Sequence, residues 1–335
     1  MRKLASIQKI SAKNPIDGAD LIELVKINDW HIVVAKAEQY EVGDEVIYFE
    51  IDSFLPIREE FEFLRKNCYK KMSDGAEGFR LRTIKLRGQF SQGLVLHKNK
   101  FPECENFVIG DDVTDILDVL KYEPPMPASL QGEAKGLFPS FIRKTDEERV
   151  QNLSEEYEDY KNHSFYVTEK IDGSSATFYF NNGEFGVCSR SLDLRETENN
   201  TFWKIARKFK IEEVLKTQNR NIAVQGELYG EGIQGNKYKK QGQSIAIFSL
   251  FDINSYKYCS FSELKSFCSI NNLPMVPIVD ENYQLPPSID LLLKYADGKS
   301  MFNQQTNREG VVLRSLDSSI SFKAISNQFL FKYED

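Results

Sequence analysis

The residues with the clearest chemical potential in this sequence surround a lysine near its middle. Lys170 ends the apolar run that starts at Phe165, and Asp172 and Gly173 follow it. A lysine that leaves a strand into a glycine turn can point into a cleft and attack an electrophile. It must be neutral to do so, and a bound divalent cation or a cationic neighbour would lower its pKa from about 10.4. Alone, the pattern more often marks an ordinary surface lysine beside a turn.

Four later residues supply the other groups that phosphoryl chemistry needs. They stand at the ends or edges of strand-like runs, and they are Glu227, Phe251, Glu309 and Lys323. Carboxylates can hold a hydrated divalent metal, an aromatic ring can stack on a base, and a second lysine can neutralise a pentavalent phosphate. After Lys170, this order is what nucleotidyl transfer requires. The plain alternatives are carboxylates in water and an aromatic side chain in the core.

The elements that must position these groups have an α+β pattern from Ser164 onward. Runs of β-branched and aromatic residues predict strands at 165–170, 222–228 and 244–253. Asn182-Gly183 predicts a hairpin turn, and Asn200 is a candidate helix cap. Helices are expected over 201–216, 261–271 and 287–296. The acidic stretch from Asp146 to Tyr160 predicts a solvated helix.

The first part of the chain instead alternates short strands with turns. Val46 to Ile51 predicts a buried strand, and Phe79 to Arg87 alternates strictly with basic residues on both faces. This pattern is typical of a small β-barrel, and an OB-fold is favoured. We therefore expect an OB-fold domain over 1–120, an irregular linker over 121–145 and a second domain over 146–335. Prolines 124, 125, 127 and 139 indicate the linker.

Composition excludes several classes of protein. The chain has 335 residues, 41% of them hydrophobic, and no run approaches the ~18 apolar residues of a membrane span. The N-terminus has no secretory signal, and five scattered cysteines and three distant histidines form no zinc pattern. We expect a soluble, intracellular protein. A net charge of −7 argues against indiscriminate coating of nucleic acid but permits a local basic groove.

Taken together, these blocks resemble the covalent nucleotidyltransferase superfamily of DNA ligases, RNA ligases and mRNA capping enzymes. Lys170-Ile-Asp-Gly resembles its nucleotidyl-lysine motif, and Gly226-Glu-Leu-Tyr-Gly with Gly232-Ile-Gln-Gly-Asn is closest to the RNA ligases. Residues 44–56 and 79–93 resemble the Naegleria-type RNA ligases, which carry an N-terminal OB domain. The resemblance implies an α+β protein with an OB-fold β-barrel before an adenylylation domain of antiparallel sheets and helices.

The resemblance also implies catalytic and metal-binding roles. Lys170 would form a phosphoramidate with AMP, and Lys323 would hold the α-phosphate. Asp172, Glu227 and Glu309 would contact waters of a catalytic Mn²⁺ or Mg²⁺ ion, and Glu227 would also belong to the ATP site. Oxygen ligands suit both ions, so the sequence does not choose between them.

Four further roles follow from the same resemblance. Glu169 would lie beside the adenine and Phe251 would stack on it. Arg190 would contact the ribose or the 5′-phosphate of RNA. Arg149 would reach the triphosphate tail, although pairing with Glu147 or Glu148 explains it equally well.

Three points stay open at this stage. Relatives often have Lys-x-Lys in the last motif, whereas here Ile325 follows Lys323-Ala. Either Lys323 suffices or Lys332 folds back, and the first is favoured because Lys323 and Ile325 share a strand face. Arg80, Arg82, Lys85 and Arg87 could touch RNA from the OB domain. Lys237, Lys239 and Lys240 could track RNA phosphates or lie on a solvated loop.

The favoured function is an ATP-dependent RNA ligase that joins 3′-OH and 5′-phosphate ends through lysyl-AMP and RNA-adenylate intermediates, in RNA repair and as a monomer. A DNA ligase or GTP-dependent capping enzyme is an alternative, but those carry an OB domain after the last motif, and here twelve residues follow Lys323. A degenerate RNA-binding protein is the third possibility, but it predicts loss of charged motif positions, whereas the chain keeps Lys170, Asp172, Glu227, Glu309 and Lys323.

Overall fold

A computed structural model describes residues 3–72, 75–123 and 132–333. Its contacts divide the chain into two units, Met1–Met126 with Leu330–Asp335, and Pro127–Phe329. Pro124, Pro125 and Pro127, which indicated the linker, lie outside the described residues. The boundaries expected from the sequence stay a prediction. Across the described residues, no helix has the length and apolarity to cross a membrane.

The first unit consists of short strands. They form sheets in the orders β1-β5-β11, β2-β3-β4, β10-β9 and β12-β6-β8-β7. The strands are β1 (Ala5–Lys9), β2 (Ala12–Pro15), β3 (Ile22–Ile27), β4 (Trp30–Ala35), β5 (Glu45–Phe49), β6 (Ser53–Pro56), β7 (Tyr69–Lys71), β8 (Glu77–Arg80), β9 (Thr83–Leu86), β10 (Gln89–Gln92), β11 (Leu94–His97) and β12 (Leu120–Lys121).

Two clusters of buried side chains hold these sheets together. One centres on Phe49, Phe61 and Phe101, whose rings pack edge-on or tilted at 5.2 to 6.0 Å. The other centres on Trp30 and Tyr48. The run from Phe79 to Arg87 is not the single strand that alternation suggested. It breaks between β8 and β9, where Leu81 turns inward and bonds to the backbone beside β6.

The second unit contains two larger sheets. A seven-stranded sheet has the order β13-β18-β17-β16-β19-β20-β21, and a five-stranded sheet the order β14-β24-β23-β15-β22. The strands are β13 (Ala134–Leu137), β14 (Glu148–Arg149), β15 (Phe165–Lys170), β16 (Ser174–Asn181), β17 (Glu184–Cys188), β18 (Leu192–Leu194), β19 (Ile222–Gly230), β20 (Gln243–Asp252), β21 (Lys257–Tyr258), β22 (Ile278–Tyr283), β23 (Gly310–Ser315) and β24 (Ser321–Ile325).

Helices and short turns complete the described chain. The helices are α1 (Arg65–Cys68), α2 (Tyr157–Tyr160), α3 (Thr201–Lys208), α4 (Ile211–Lys216), α5 (Phe261–Ile270), α6 (Ile289–Ala296) and α7 (Asn327–Tyr333). Turns of 3₁₀ helix occur at Lys36–Glu38, Glu59–Leu64, Lys98–Lys100, Pro102–Cys104, Val150–Asn152 and Gln234–Asn236. Asn200 caps α3 by accepting from the Trp203 amide at 3.1 Å, as the sequence predicted.

The acidic stretch 146–160 differs from the expected helix. Only Tyr157–Tyr160 is α-helical, while Glu148 and Arg149 form β14, which pairs in parallel with β24. Helix propensity is a weak prior, and pairing with a strand some 170 residues later overrides it here. This pairing brings Arg149 opposite Lys323.

Candidate active site

Lys170 stands where the chain passes from one sheet of the second unit to the other. It is the last residue of β15 in the five-stranded sheet, and β16 of the seven-stranded sheet begins at Ser174. Gly173 makes this crossing possible because a Cβ there would lie 2.1 Å from the carbonyl oxygen of Leu228. The glycine of the motif is therefore required for close approach to β19. The sequence-based expectation that Lys170 leaves a strand into a glycine turn is confirmed.

Three carboxylates surround the Lys170 amine. Lys170 Nζ lies 2.7 Å from Glu309 Oε1, and Glu309 directly precedes β23, whose Gly310 pairs with Lys170. Burial acts to lower the pKa of Lys170, but the charges of Glu309, Glu227 and Asp172 outweigh it, so the pKa lies above its usual value. In the protein without ligands, the lysine is therefore an ammonium ion.

Two of these carboxylates lie in surroundings that disfavour their charged form and raise their pKa values. Burial raises the pKa of Glu227 to about 8, and the nearby charges of Glu309 and Asp172 add to it. Burial and the charge of Glu309 also raise the pKa of Asp172. Buried carboxylates that repel one another indicate a place where a cation binds.

A divalent metal fits this group of residues. Glu309 Oε2 is buried and has no hydrogen-bond partner among the described residues, so it can accept a hydrogen bond from a metal-bound water. Across 3–72, 75–123 and 132–333, no three His, Cys, Asp or Glu side chains are arranged to cage a metal directly. The oxygen donors therefore suit a hydrated Mg²⁺ or Mn²⁺ held through its waters.

Sequence reasoning missed the residues that hold Asp172 in place. Lys237 donates to Asp172 Oδ2 and, at 3.1 Å, to the carbonyl of Gln234. The Asp172 amide donates to Tyr238 Oη at 2.7 Å. Lys237, which the sequence left as an RNA contact or a solvated residue, lies in the cluster instead. The only available signal was its position after the glycine-rich loop that follows β19.

Glu169 occupies a buried pocket on the other face of β15. Its side chain is 1% exposed, and Oε2 accepts from the Met301 amide at 2.7 Å. Oε1 is buried without a hydrogen-bond partner among the described residues. Burial raises the pKa of Glu169. An acceptor that lacks a donor suits a ligand N–H group, which is compatible with the expected adenine contact.

Basic residues gather around Lys323. Arg149 lies opposite it in the parallel β14–β24 pair. Asp146 lies 3.6 Å from Lys323 Nζ and 3.5 Å from Arg190 Nη2. Glu147, one of the partners considered for Arg149, pairs with Arg314 at 2.9 Å. These cations lie where a chain of phosphates could be neutralised. Lys332, the alternative second lysine, belongs to the first unit.

Phe251, the residue expected to stack on adenine, lies in the hydrophobic core, and its surroundings do not favour a stacking role. Its side chain is fully buried with Ile142, Tyr179 and Cys188. Phe251 pairs with Ala223, whereas Glu227 pairs with Ala246. Four residues of strand span about 13 Å, so Phe251 lies well away from the carboxylates.

Phe248, three residues before Phe251 on β20, lies nearer than Phe251 to the carboxylates of Asp172, Glu227 and Glu309. A β-bulge leaves it without a partner, because Gln225 pairs with Ser249 and Gly226 with Ile247. Bulges redirect side chains next to active sites. Phe248 is half-buried and packs against a group of buried hydrophobic side chains that includes Ile171, the residue after Lys170.

Comparisons with known proteins agree with this geometry. A family model described as RNA ligase matches residues 163–334, and an OB-fold domain model matches residues 4–98. The fold class predicted from the sequence is thereby confirmed. No match is found among the curated proteins.

Solved structures of an RNA ligase from Naegleria gruberi are similar to the whole chain. The structure with PPi is 44% identical, with a TM-score of 0.93 and 100% of both chains covered. A Lys-to-Met variant with AMP and Mn gives the same values. A Lys-to-Ala variant with ATP and Mn is 44% identical over 100% of this chain and 98% of the other, with a TM-score of 0.91.

Proposed function

This chain belongs to the RNA ligase family, and from that premise we propose that it is an ATP-dependent enzyme that joins RNA ends bearing a 3′-OH and a 5′-phosphate. The observation that carries the proposal is the Lys170 amine 2.7 Å from Glu309, with Glu227 and Asp172 close enough to act on its charge. Such an arrangement suits a lysine nucleophile whose charge state is set by a divalent cation. Relatives of known structure bind ATP, AMP and Mn.

The reaction would proceed in three displacements at phosphorus. The Lys170 amine attacks the α-phosphorus of ATP, the bond to pyrophosphate breaks, and the amine loses its proton. An oxygen of the RNA 5′-phosphate then attacks the lysyl-AMP, which breaks the P–N bond and releases the lysine. The RNA 3′-OH finally attacks the activated 5′-phosphate, and AMP leaves. Activation is needed because a phosphate monoester has no good leaving group, and AMP provides one.

Different side chains would bind the base and the phosphates of the nucleotide. Glu169 would accept from the adenine, and Lys323 would neutralise the α-phosphate. Arg149, beside Lys323 in the sheet, would bind the triphosphate tail and orient the departing pyrophosphate. Arg190 would contact the ribose or the RNA 5′-phosphate. Charge-assisted contacts of this kind are stronger than neutral ones.

Asp172, Glu227 and Glu309 would hold the divalent ion through its waters. When bound, Mn²⁺ or Mg²⁺ supplies positive charge that disfavours the Lys170 ammonium and stabilises the α-phosphate. The three acidic side chains would orient the hydrated ion, and the Lys237–Tyr238 pair holds Asp172 on one side. We further infer that the enzyme acts as a monomer in RNA repair, since it re-forms a bond that strand breakage removes.

Sealing assays on defined junctions test the function. We expect 5′-phosphorylated RNA strands to be joined to RNA 3′-OH ends with ATP and manganese, and AMP from ATP to label the protein. GTP should give no label. Sealing of DNA ends alone, or labelling by GTP alone, would contradict the proposal and favour a DNA ligase or a capping enzyme.

A matched pair of aromatic substitutions tests which ring serves the nucleotide. Phe251→Ala should lower the free energy of unfolding by about 3–5 kcal/mol through loss of a buried ring, with little change in KM for ATP. Phe248→Ala should destabilise less and raise KM for ATP roughly tenfold, because base stacking contributes about 1–3 kcal/mol. Urea unfolding and adenylylation kinetics measure both effects. The reverse pattern would restore Phe251 to the nucleotide site.

A further inference from the structure

The first unit carries a concentration of positive charge in an acidic protein. Residues 65–87 contain eight Lys and Arg residues and two Asp and Glu residues, whereas the whole chain has a net charge of −7. Three of the cations have ion-pair partners, namely Arg65, Lys71 and Arg80. The other five make no ion pair with any described residue, and they are Lys66, Lys70, Arg82, Lys85 and Arg87.

Part of this charge lies on a hairpin of β9 and β10. Ile84, Lys85, Leu86 and Arg87 are all exposed, and Ile84 and Leu86 keep 47% and 38% of their surface in water. In the described sheets, β9 pairs only with β10. The hairpin therefore presents cations and apolar side chains together on one edge of the unit.

Aromatic rings accompany these cations. Lys85 Nζ lies 4.3 Å from the ring centroid of Phe331 and 5.7 Å from that of Phe90. Phe331 belongs to the same unit and is 57% exposed. A positive edge beside exposed aromatic rings combines the two features with which proteins bind nucleic-acid strands, namely phosphate neutralisation and base stacking.

The turn of the hairpin gives an independent indication. Leu86 pairs with Gln89, so Arg87 and Gly88 form a two-residue turn with φ angles of 48° and 86°. Such turns favour Asn or Asp before Gly, because a residue other than these or Gly bears a cost of about 1 kcal/mol at positive φ. Turn chemistry does not explain an arginine here, and residues held in costly conformations often serve a function.

We propose that the β9–β10 hairpin binds the phosphodiester backbone of the RNA substrate through Arg82, Lys85 and Arg87, without sequence preference. This inference rests on the proposed function, because an RNA ligase must hold strands whose only common feature is their backbone. Phe331 offers a stacking surface for a base beside these contacts. The interaction is electrostatic and falls steeply with salt.

The test is RNA binding by a variant with Arg82→Gln, Lys85→Gln and Arg87→Asn. Affinity for a nicked, 5′-phosphorylated RNA duplex would be measured by fluorescence anisotropy over a salt series, without ATP or metal. Each lost phosphate contact should reduce the slope of log affinity against log salt by about 0.7–0.9, and affinity should fall about 10-fold to 100-fold at low salt. The matched control is a second triple variant, which removes three positive charges from exposed positions elsewhere: Lys9→Gln, Lys204→Gln and Lys294→Gln.

Two single-site comparisons separate RNA contact from structural roles. Arg87→Asn should leave thermal stability unchanged or raised, because Asn suits the turn, and yet weaken RNA binding. Arg87→Lys should keep most of the affinity. An alternative is that the hairpin charges only prevent β9 from pairing with another molecule. In that case the triple variant will aggregate, while its monomeric fraction will bind RNA with the wild-type slope of log affinity against log salt.

Labelling of the protein by AMP is measured in every variant. The triple variant should label like the wild type while sealing subsaturating RNA more slowly. A triple variant with the wild-type salt slope and sealing rate overturns the hairpin inference alone. A wild-type protein that takes up no AMP or seals no RNA overturns the proposed function instead, so the two failures are distinguishable.

Discussion

Alanine in place of Lys170 is expected to abolish covalent transfer of AMP to the protein. The fall should exceed about a thousandfold, because the variant lacks the amine that attacks the α-phosphorus. Label from the α-phosphate of ATP, followed by peptide mapping, measures the effect. Lys170→Arg should be equally inactive while it keeps the positive charge beside Glu309. Lys257→Ala, at an exposed position on β21, should label like the wild type.

The charge state of Lys170 gives this prediction a second, metal-dependent part. Glu309, Glu227 and Asp172 hold the pKa of Lys170 above its usual value in the absence of a cation. A raised pKa means that the ammonium form persists until the pH exceeds that value. We therefore expect no label in EDTA between about pH 6 and 9. Labelling in EDTA, or an adduct on another residue, would remove Lys170 from the proposed role.

Replacement of Glu309 by glutamine should slow adenylylation by on the order of a hundredfold. Two effects oppose each other here. Loss of the carboxylate lets the Lys170 pKa fall, and each unit of that fall raises the neutral fraction about tenfold. Loss of a residue that orients the hydrated metal costs about 10- to 100-fold in affinity or rate, and loss of electrostatic stabilisation of the phosphate adds to it. We expect the losses to exceed the gain.

The metal dependence of the Glu309→Gln variant separates these effects. Its manganese requirement should shift to higher concentration, and manganese should raise the melting temperature of the variant less than that of the wild type. Glu281→Gln, the same change at a 57% exposed side chain, should leave both properties unaltered. A Glu309→Gln protein with wild-type rate and manganese response would exclude a metal role for this carboxylate.

Local rules predicted those parts of the fold that local chemistry determines. The Asn182-Gly183 turn joins β16 to β17 with φ angles of 49° and 86°, and the positive values explain why these residue types occur there. The spacing of Lys170, Asp172 and Gly173 likewise predicted a strand that ends in a tight turn, and the turn is where the chain passes from one sheet to the other. The grouping of Lys170 with Glu227 and Glu309 was indicated by the order of their chemistry and by the resemblance, not by local spacing, because these residues meet through pairing across more than fifty positions.

The positions of the other site residues could not be derived from the sequence, because they depend on pairing between strands and side chains that are far apart in the chain. The bulge that leaves Phe248 unpaired, and so distinguishes it from the buried Phe251, is visible only in the register of β19 and β20. Composition around Arg149 indicated a helix, whereas pairing with β24 made it a strand. Lys237 could be taken for a solvated loop residue because its partner Asp172 lies 65 positions away.

The contacts of Asp146 bear on the phosphate contacts proposed for Arg190 and Lys323. Its carboxylate lies between Arg190 and Lys323 at 3.5 and 3.6 Å and supplies there the negative charge that a phosphate would otherwise bring. If Arg190 and Lys323 bind phosphate as proposed, binding would exchange one counter-ion for another. Each pair is long and partly solvated, and such pairs contribute at most about 1 kcal/mol. A phosphate chain with several negative charges would replace the carboxylate more readily than a monovalent anion would, because it can pair with both cations at once.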